Sequence, residues 1–205
     1  MVIHNYKTIF FHVPKVAGYT IEQYLLPGRR DYKVFDKNII FGLKEGLMTQ
    51  HITYNSITKY IDEETLNKYY KFAFFRNTWD RLCSAFCYME PHYIERFGSF
   101  ENCIKNACKV AKNNDYQEGW HFCKQTDYLF DKNGNVVLDF VGQYSNLDEE
   151  FKTVCEKVGA PIQPLRKLNI SKSKTRHYRE YYTEEIKQLV YETYKEEIDY
   201  FKYTF

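Results

Sequence analysis

The sequence predicts an α/β fold with a mostly parallel central sheet. Two short apolar runs, Ile9-Phe10-Phe11-His12-Val13 and Phe72-Ala73-Phe74-Phe75, read as strands, and each leads at once into a loop and a helix start. Short continuous apolar runs bounded by turns are what strands buried on both faces show. The third observation is bulk: 205 residues, 44% hydrophobic and 19% aromatic, fit one domain over residues 1–205 with a sizeable core.

The first strand is expected over residues 8–13. Pro14-Lys15-Val16-Ala17-Gly18-Tyr19-Thr20 then reads as a tight loop entering a helix. That is the anatomy of a phosphate cradle, because backbone N–H groups and the helix dipole favour an anion at a helix N-terminus. Lys15 adds a mobile positive charge, and Gly18 lets the backbone approach a ligand closely. The loop is not a Walker A sequence, since the Gly-Lys-Ser/Thr ending is missing. An ordinary strand–turn–helix junction with a solvated lysine has the same local pattern. Residues 29–44 are expected to carry the second strand.

After the strand over residues 72–75, Asn77 or Thr78 can cap a helix, with Asp80 in its first turn. Leu82, Ala85, Phe86 and Met89 form an apolar face, and Asn77, Arg81, Ser84 and Tyr88 a polar one. Arg76 at the strand end and Ser84 two turns into the helix could converge on one anion, the arginine as a planar fork and the serine as a hydroxyl donor. Arg81 is expected to pair with a carboxylate as a scaffold residue. Residues 94–114 read as helix, with Phe97, Phe100, Ile104, Cys108 and Ala111 apolar. Asp131-Lys132-Asn133-Gly134-Asn135 reads as a hairpin turn. Phe151, Val154, Cys155 and Val158 form a helical stripe ended by Gly159 and Pro161, and Thr183 caps a final helix over residues 183–201.

The order of residues in the first loop resembles the 5′-phosphosulfate loop of sulfotransferases that use PAPS (3′-phosphoadenosine 5′-phosphosulfate), specifically the family 2 carbohydrate type. That pattern is roughly His-(Ile/Val)-Pro-Lys-Thr-(Ala/Gly)-Gly-Thr-Ser. Val16 and Tyr19 depart from it, so two side-chain hydroxyls are lost while Thr20 keeps the last. Arg76-Asn77-Thr78-Trp79-Asp80-Arg81-Leu82-Cys83-Ser84-Ala85-Phe86 resembles the family's 3′-phosphate motif, with Thr78 in place of the usual proline. Gln50-His51-Ile52-Thr53-Tyr54 is similar to a segment in which, in the heparan 2-O-sulfotransferases, a histidine serves as general base. The companion histidine two residues earlier in those relatives is Thr49 here. Trp120-His121-Phe122-Cys123-Lys124-Gln125 resembles a run near the acceptor cleft, which makes His121 a second candidate base and Gln125 a candidate acceptor contact. Residues 166–179 are basic without acidic members, and Asn169-Ile170-Ser171-Lys172-Ser173 resembles a tail that closes over the nucleotide in the family. Ser171, Lys174 and Arg176 are the donor contacts expected there. A solvated basic loop or a nucleic-acid patch has a similar composition.

The resemblance implies a three-layer fold like that of P-loop nucleotide kinases, with ligands beyond the carboxyl ends of the strands. It implies in-line sulfuryl transfer from PAPS to a hydroxyl of a carbohydrate or glycan, with PAP as product and no metal. Lys15 and the amides of residues 14–20 would stabilise the leaving phosphate. His51, or else His121, would take the acceptor proton. Arg76 and Ser84 would hold the 3′-phosphate.

Net charge is +2, so the overall balance does not indicate nucleic acid. No apolar run approaches the ~18 residues of a membrane span, and no leader peptide is read at Met1. None of the six cysteines forms a Cys-x-x-Cys pair, which argues against structural zinc and fits reduced thiols in the cytoplasm. Two other readings stay open: a P-loop-type small-molecule kinase, for which no convincing magnesium-holding pair is found, and a nucleotide- or glycan-binding domain without chemistry.

Overall fold

The computed structural model of the chain describes residues 1–28, 30–114, 119–166, 168 and 175–205. They group into two compact units, one from Met1–Phe75 and Asp127–Asn169, the other from Arg76–Thr126 and Ile170–Phe205.

The first unit is built on a four-stranded sheet. Its strands are β1 (Val2–Ile3), β2 (Thr8–Phe10), β5 (Tyr70–Phe75) and β6 (Phe140–Gln143), in the order β1-β2-β5-β6. β1 is antiparallel to β2, while β2–β5 and β5–β6 are parallel. The fold is therefore mixed α/β with a mostly parallel central sheet. Every residue of β2 and the Phe72–Phe75 end of β5 are buried, which explains why these strands read as unbroken apolar runs. The Phe10 and Phe72 rings stack with centroids 4.9 Å apart. Gly142 of β6 lets the Phe74 ring lie against its backbone, since a Cβ there would stand 2.4 Å from that ring. Burying each such ring contributes roughly 1.5–3 kcal/mol.

Helix α1 (Gly18–Leu25) buries Ile21 and Leu25, one turn apart, and ends at Leu26. The expected second strand over residues 29–44 is not in the sheet. Among the described residues, that stretch makes a bridge between Asp36 and Phe41, one bond from Val2 N–H to the Ile39 carbonyl, and then β3 (Leu43–Lys44). β3 pairs with β4 (Leu47–Met48) in a separate hairpin. Glu45 and Gly46 between them both have positive φ, 52° and 81°, as a two-residue hairpin turn with the twist of its strands requires. Local turn closure shapes the stretch in place of pairing with the central sheet. Two short helices follow, α2 (Tyr54–Ile57) and α3 (Glu63–Lys68). The expected turn at 131–135 is present, flanked by a Phe130–Val136 bridge.

The second unit is helical. α4 (Thr78–Tyr88) is capped by the Asn77 side chain, which accepts from Asp80 N–H. The helix expected over residues 94–114 is divided between α5 (Glu90–Phe97) and α6 (Phe100–Asn113), because Gly98 takes a left-handed φ of 78° and Ser99 caps a new helix. α7 (Thr126–Leu129) lies where the chain re-enters the first unit, and α8 (Leu147–Val158) there buries Phe151, Val154 and Cys155 and ends at Gly159. The final helix is likewise two, α9 (Glu184–Thr193), capped by Thr183, and α10 (Lys195–Phe201). The break is at Tyr194, whose hydroxyl donates to the Phe122 carbonyl at 2.8 Å. Leu82, Phe86, Ile104, Ile186, Val190 and Ile198 join one core. No helix among the described residues is long and apolar enough to cross a membrane.

Candidate functional site

In the first unit, β2 delivers the chain to the expected phosphate loop. Pro14, Val16, Gly18 and Thr20 are buried, and Lys15, Ala17 and Tyr19 half-buried. Lys15 and Ala17 take left-handed backbone, φ 69° and 64°, on either side of Val16. Such a conformation costs a residue with a Cβ roughly 1–2 kcal/mol, and strain of this kind gathers at ligand loops. Alternating hands of the backbone bring successive N–H groups to one side, the geometry of an anion nest. α1 opens at Ala17 with no side chain capping it, so the nest and the helix N-terminus coincide.

A buried pair lies under this loop. His12 Nδ1 meets Glu22 Oε1 at 2.6 Å, and Glu22 is fully buried with no hydrogen-bond partner for Oε2. The His12 ring explains Gly18. A Cβ there would lie 1.9 Å from His12 Cδ2, so glycine makes room for an imidazole besides leaving the backbone bare to a ligand.

His51 sits in a 3₁₀ turn (Thr49–His51), half-buried, with its ring centroid 4.2 Å from that of His12. Its Nδ1 is 2.8 Å from the His12 carbonyl. A carbonyl can only accept, so Nδ1 carries the proton and the lone pair of the neutral ring is on Nε2. Tyr128 donates to the His51 carbonyl at 2.9 Å and fixes the turn.

In the second unit, Arg76 follows β5 directly and is buried, its Nε donating to Asp80 Oδ2 at 2.7 Å. Ser84 is buried on α4, two turns on. Arg81 is the expected scaffold residue. It is fully buried, donates to the carbonyls of His121 and Cys123 at 3.0 and 2.8 Å, and has Glu197 at 3.9 Å. His121 is buried with Nδ1 3.2 Å from the Tyr93 hydroxyl, its ring close to that of Trp120. Burial pushes the Tyr93 phenol well above its ordinary range. Gln125 is placed in the interior, fully buried, its amide engaged by the Arg76 backbone and Glu197. A cleft of about 320 Å³, within the range of ligand sites, is lined by Asp80, Thr175, Arg176, His177 and Tyr178. The Arg176 guanidinium lies over the Tyr181 ring at 4.5 Å. Ser171 and Lys174 fall outside the described residues.

Sequence reasoning passed over Glu22 and Glu197. The signal for Glu197 was available: it stands one turn from Tyr194 and beside Ile198, on the apolar side of its helix, where a charged residue needs a reason. The pairing of Glu22 with His12 has no local signal, because it joins a helix to the strand end before it.

A family model described as "Sulfotransferase family" matches residues 1–204. An uncharacterized protein of Archaeoglobus fulgidus is 30% identical over 109 residues, 53% of this chain and 83% of the relative. No solved structure matches. A match that runs through both loops and nearly the whole chain decides the question the motifs raised: the chain belongs to the sulfotransferase family, enzymes of sulfuryl transfer.

Proposed function

We propose that the chain is a PAPS-dependent sulfotransferase that transfers the sulfuryl group to a hydroxyl of a carbohydrate or glycan, working as a single domain over residues 1–205 in the cytoplasm. The observation that carries the donor assignment is the loop at residues 14–20, where a lysine, two left-handed residues and an uncapped helix start coincide. The family match supports sulfuryl transfer, and six buried cysteines outside any disulfide suit a reducing compartment.

The backbone of Pro14 to Thr20 binds the 5′-phosphosulfate in this reading. The acceptor oxygen attacks sulfur as the bond from sulfur to the bridging oxygen breaks, and the electron pair leaves with the phosphate of PAP. Lys15 and the loop amides meet the charge that builds there. The hydroxyl proton goes to His51 Nε2, the basic nitrogen set by the Nδ1 bond. His121 is the weaker candidate, since it is 5% exposed and already bonded to Tyr93. Arg76 and Ser84 hold the 3′-phosphate, and Arg176 contributes charge at the neighbouring cleft. No metal has a part in the scheme, because protein cations carry the charge.

Incubation with sulfur-labelled PAPS and a panel of acceptors tests the reading. Label on polysaccharide or oligosaccharide hydroxyls is expected. Label confined to phenols or lipid alcohols would remove the carbohydrate assignment, and no PAP formation with any acceptor would remove the enzyme assignment.

A further inference from the structure

Arg76 stands at the point where β5 ends and α4 has not begun, so no regular ladder holds its backbone. Gln125 does so instead. Arg76 N–H donates to Gln125 Oε1 at 2.9 Å, and Gln125 Nε2 donates back to the Arg76 carbonyl at 2.9 Å. The side-chain amide thus pairs with both polar groups of one residue, as a neighbouring strand would. This works only with the amide one way round.

Glu197 of α10 fixes that choice. It is 1% exposed, and its Oε1 accepts from Gln125 Nε2 at 3.0 Å and from Thr78 Oγ1 at 2.6 Å. Its Oε2 accepts the Gln125 backbone N–H at 2.5 Å. A carboxylate offers acceptors alone, so the nitrogen of Gln125 must face it and the oxygen must face Arg76. Thr78 is the residue standing where the family pattern has proline, and its hydroxyl ties the start of α4 to the same carboxylate. Arg81 at 3.9 Å offsets the buried charge.

We infer that Gln125 and Glu197 are positioning residues for Arg76, so that the C-terminal helix sets affinity for the 3′-phosphate of the donor. The inference rests on the proposed donor role of Arg76. It assigns Gln125 to the arginine in place of the acceptor.

The test compares PAP with 5′-AMP, which lacks the 3′-phosphate, as ligands for the wild type, Gln125→Met and Glu197→Gln. Glu197→Gln keeps volume but lets either end of the Gln125 amide face it. In both variants PAP should bind at least about tenfold more weakly, while AMP affinity changes less than about twofold. Folded variants that keep the wild-type ratio would overturn the inference. Thr78→Val, a milder change, should shift the ratio in the same direction and serves if the other two do not fold. Hydrogen exchange at the Arg76 amide separates the two levels of the claim. A wild type that binds PAP and AMP alike defeats the 3′-phosphate reading. Exchange at Arg76 that is no faster in Gln125→Met or Thr78→Val defeats the clamp itself.

Discussion

Lys15 and Gly18 show how much the loop after β2 asks of single residues. Lys15 holds a left-handed backbone that its own side chain disfavours, and it carries the charge proposed to meet the leaving group. Lys15→Ala should lower kcat by roughly 10²–10³ with a folded protein, the scale of losing one transition-state donor; unchanged turnover in steady-state kinetics would take the role away from it. Gly18 is constrained from inside. Its added Cβ would meet His12 Cδ2 at 1.9 Å, and Glu22 pins that imidazole at 2.6 Å. Gly18→Ala should therefore cost about 1–3 kcal/mol of stability, the usual range for overpacking, read as a lower urea midpoint. A midpoint equal to wild type would mean that the His12 ring moves aside freely.

The elements divide into those whose cause is local and those whose cause is distant. α4 was legible because Asn77, Asp80 and the Leu82–Ala85–Phe86 stripe are all signals within three turns, and α8 because Gly159 stops a clear stripe. The single helices expected over 94–114 and 183–201 each proved to be two. Gly98 was a readable stop, whereas Tyr194 breaks its helix through a bond to Phe122, far away in sequence. The stretch expected to carry the second strand does end in one, β3, but outside the central sheet, and here the cause is local: Asp36 pairs with Phe41, and Glu45-Gly46 turns the chain back into β4. Of the site, Lys15, His51, Arg76 and Ser84 were visible as motif residues. The Glu22–His12 pair and the clamp by Gln125 were not, since each exists only through tertiary contact, and Glu197 showed only as a charge on the apolar side of its helix. Arg81 illustrates the energetic weight of such contacts. It holds two carbonyls of the segment around His121 and faces Glu197. Arg81→Met should lose about 3–5 kcal/mol by stranding that carboxylate, seen as a lower melting temperature. A variant as stable as wild type would show the carboxylate to be satisfied without it.

At the scale of the molecule, the aromatic-rich composition supplies the buried interior of each unit, and all six thiols are buried outside any disulfide. Burial raises the Cys103 thiol from its ordinary value of 9.0 to about 12. The unfolded chain releases that proton near pH 9 and the folded chain does not, so between these values the folded state binds more protons. Stability should fall as pH rises through that window, and a Cys103→Ala variant should show a shallower fall in its urea midpoint. An equal fall in that variant would assign the effect to other groups, of which the phenols of half-buried Tyr182 and buried Tyr194, also raised, are the nearest in kind.

The proposed donor is a nucleotide bearing both a 5′- and a 3′-phosphate, and calorimetric titration with PAP against ADP is the measurement that decides whether the chain holds one. PAP binding that is tight, with ADP much weaker, is the predicted result. Equal affinity for the two, or no binding of PAP, would contradict the donor assignment for Lys15 and Arg76 alike.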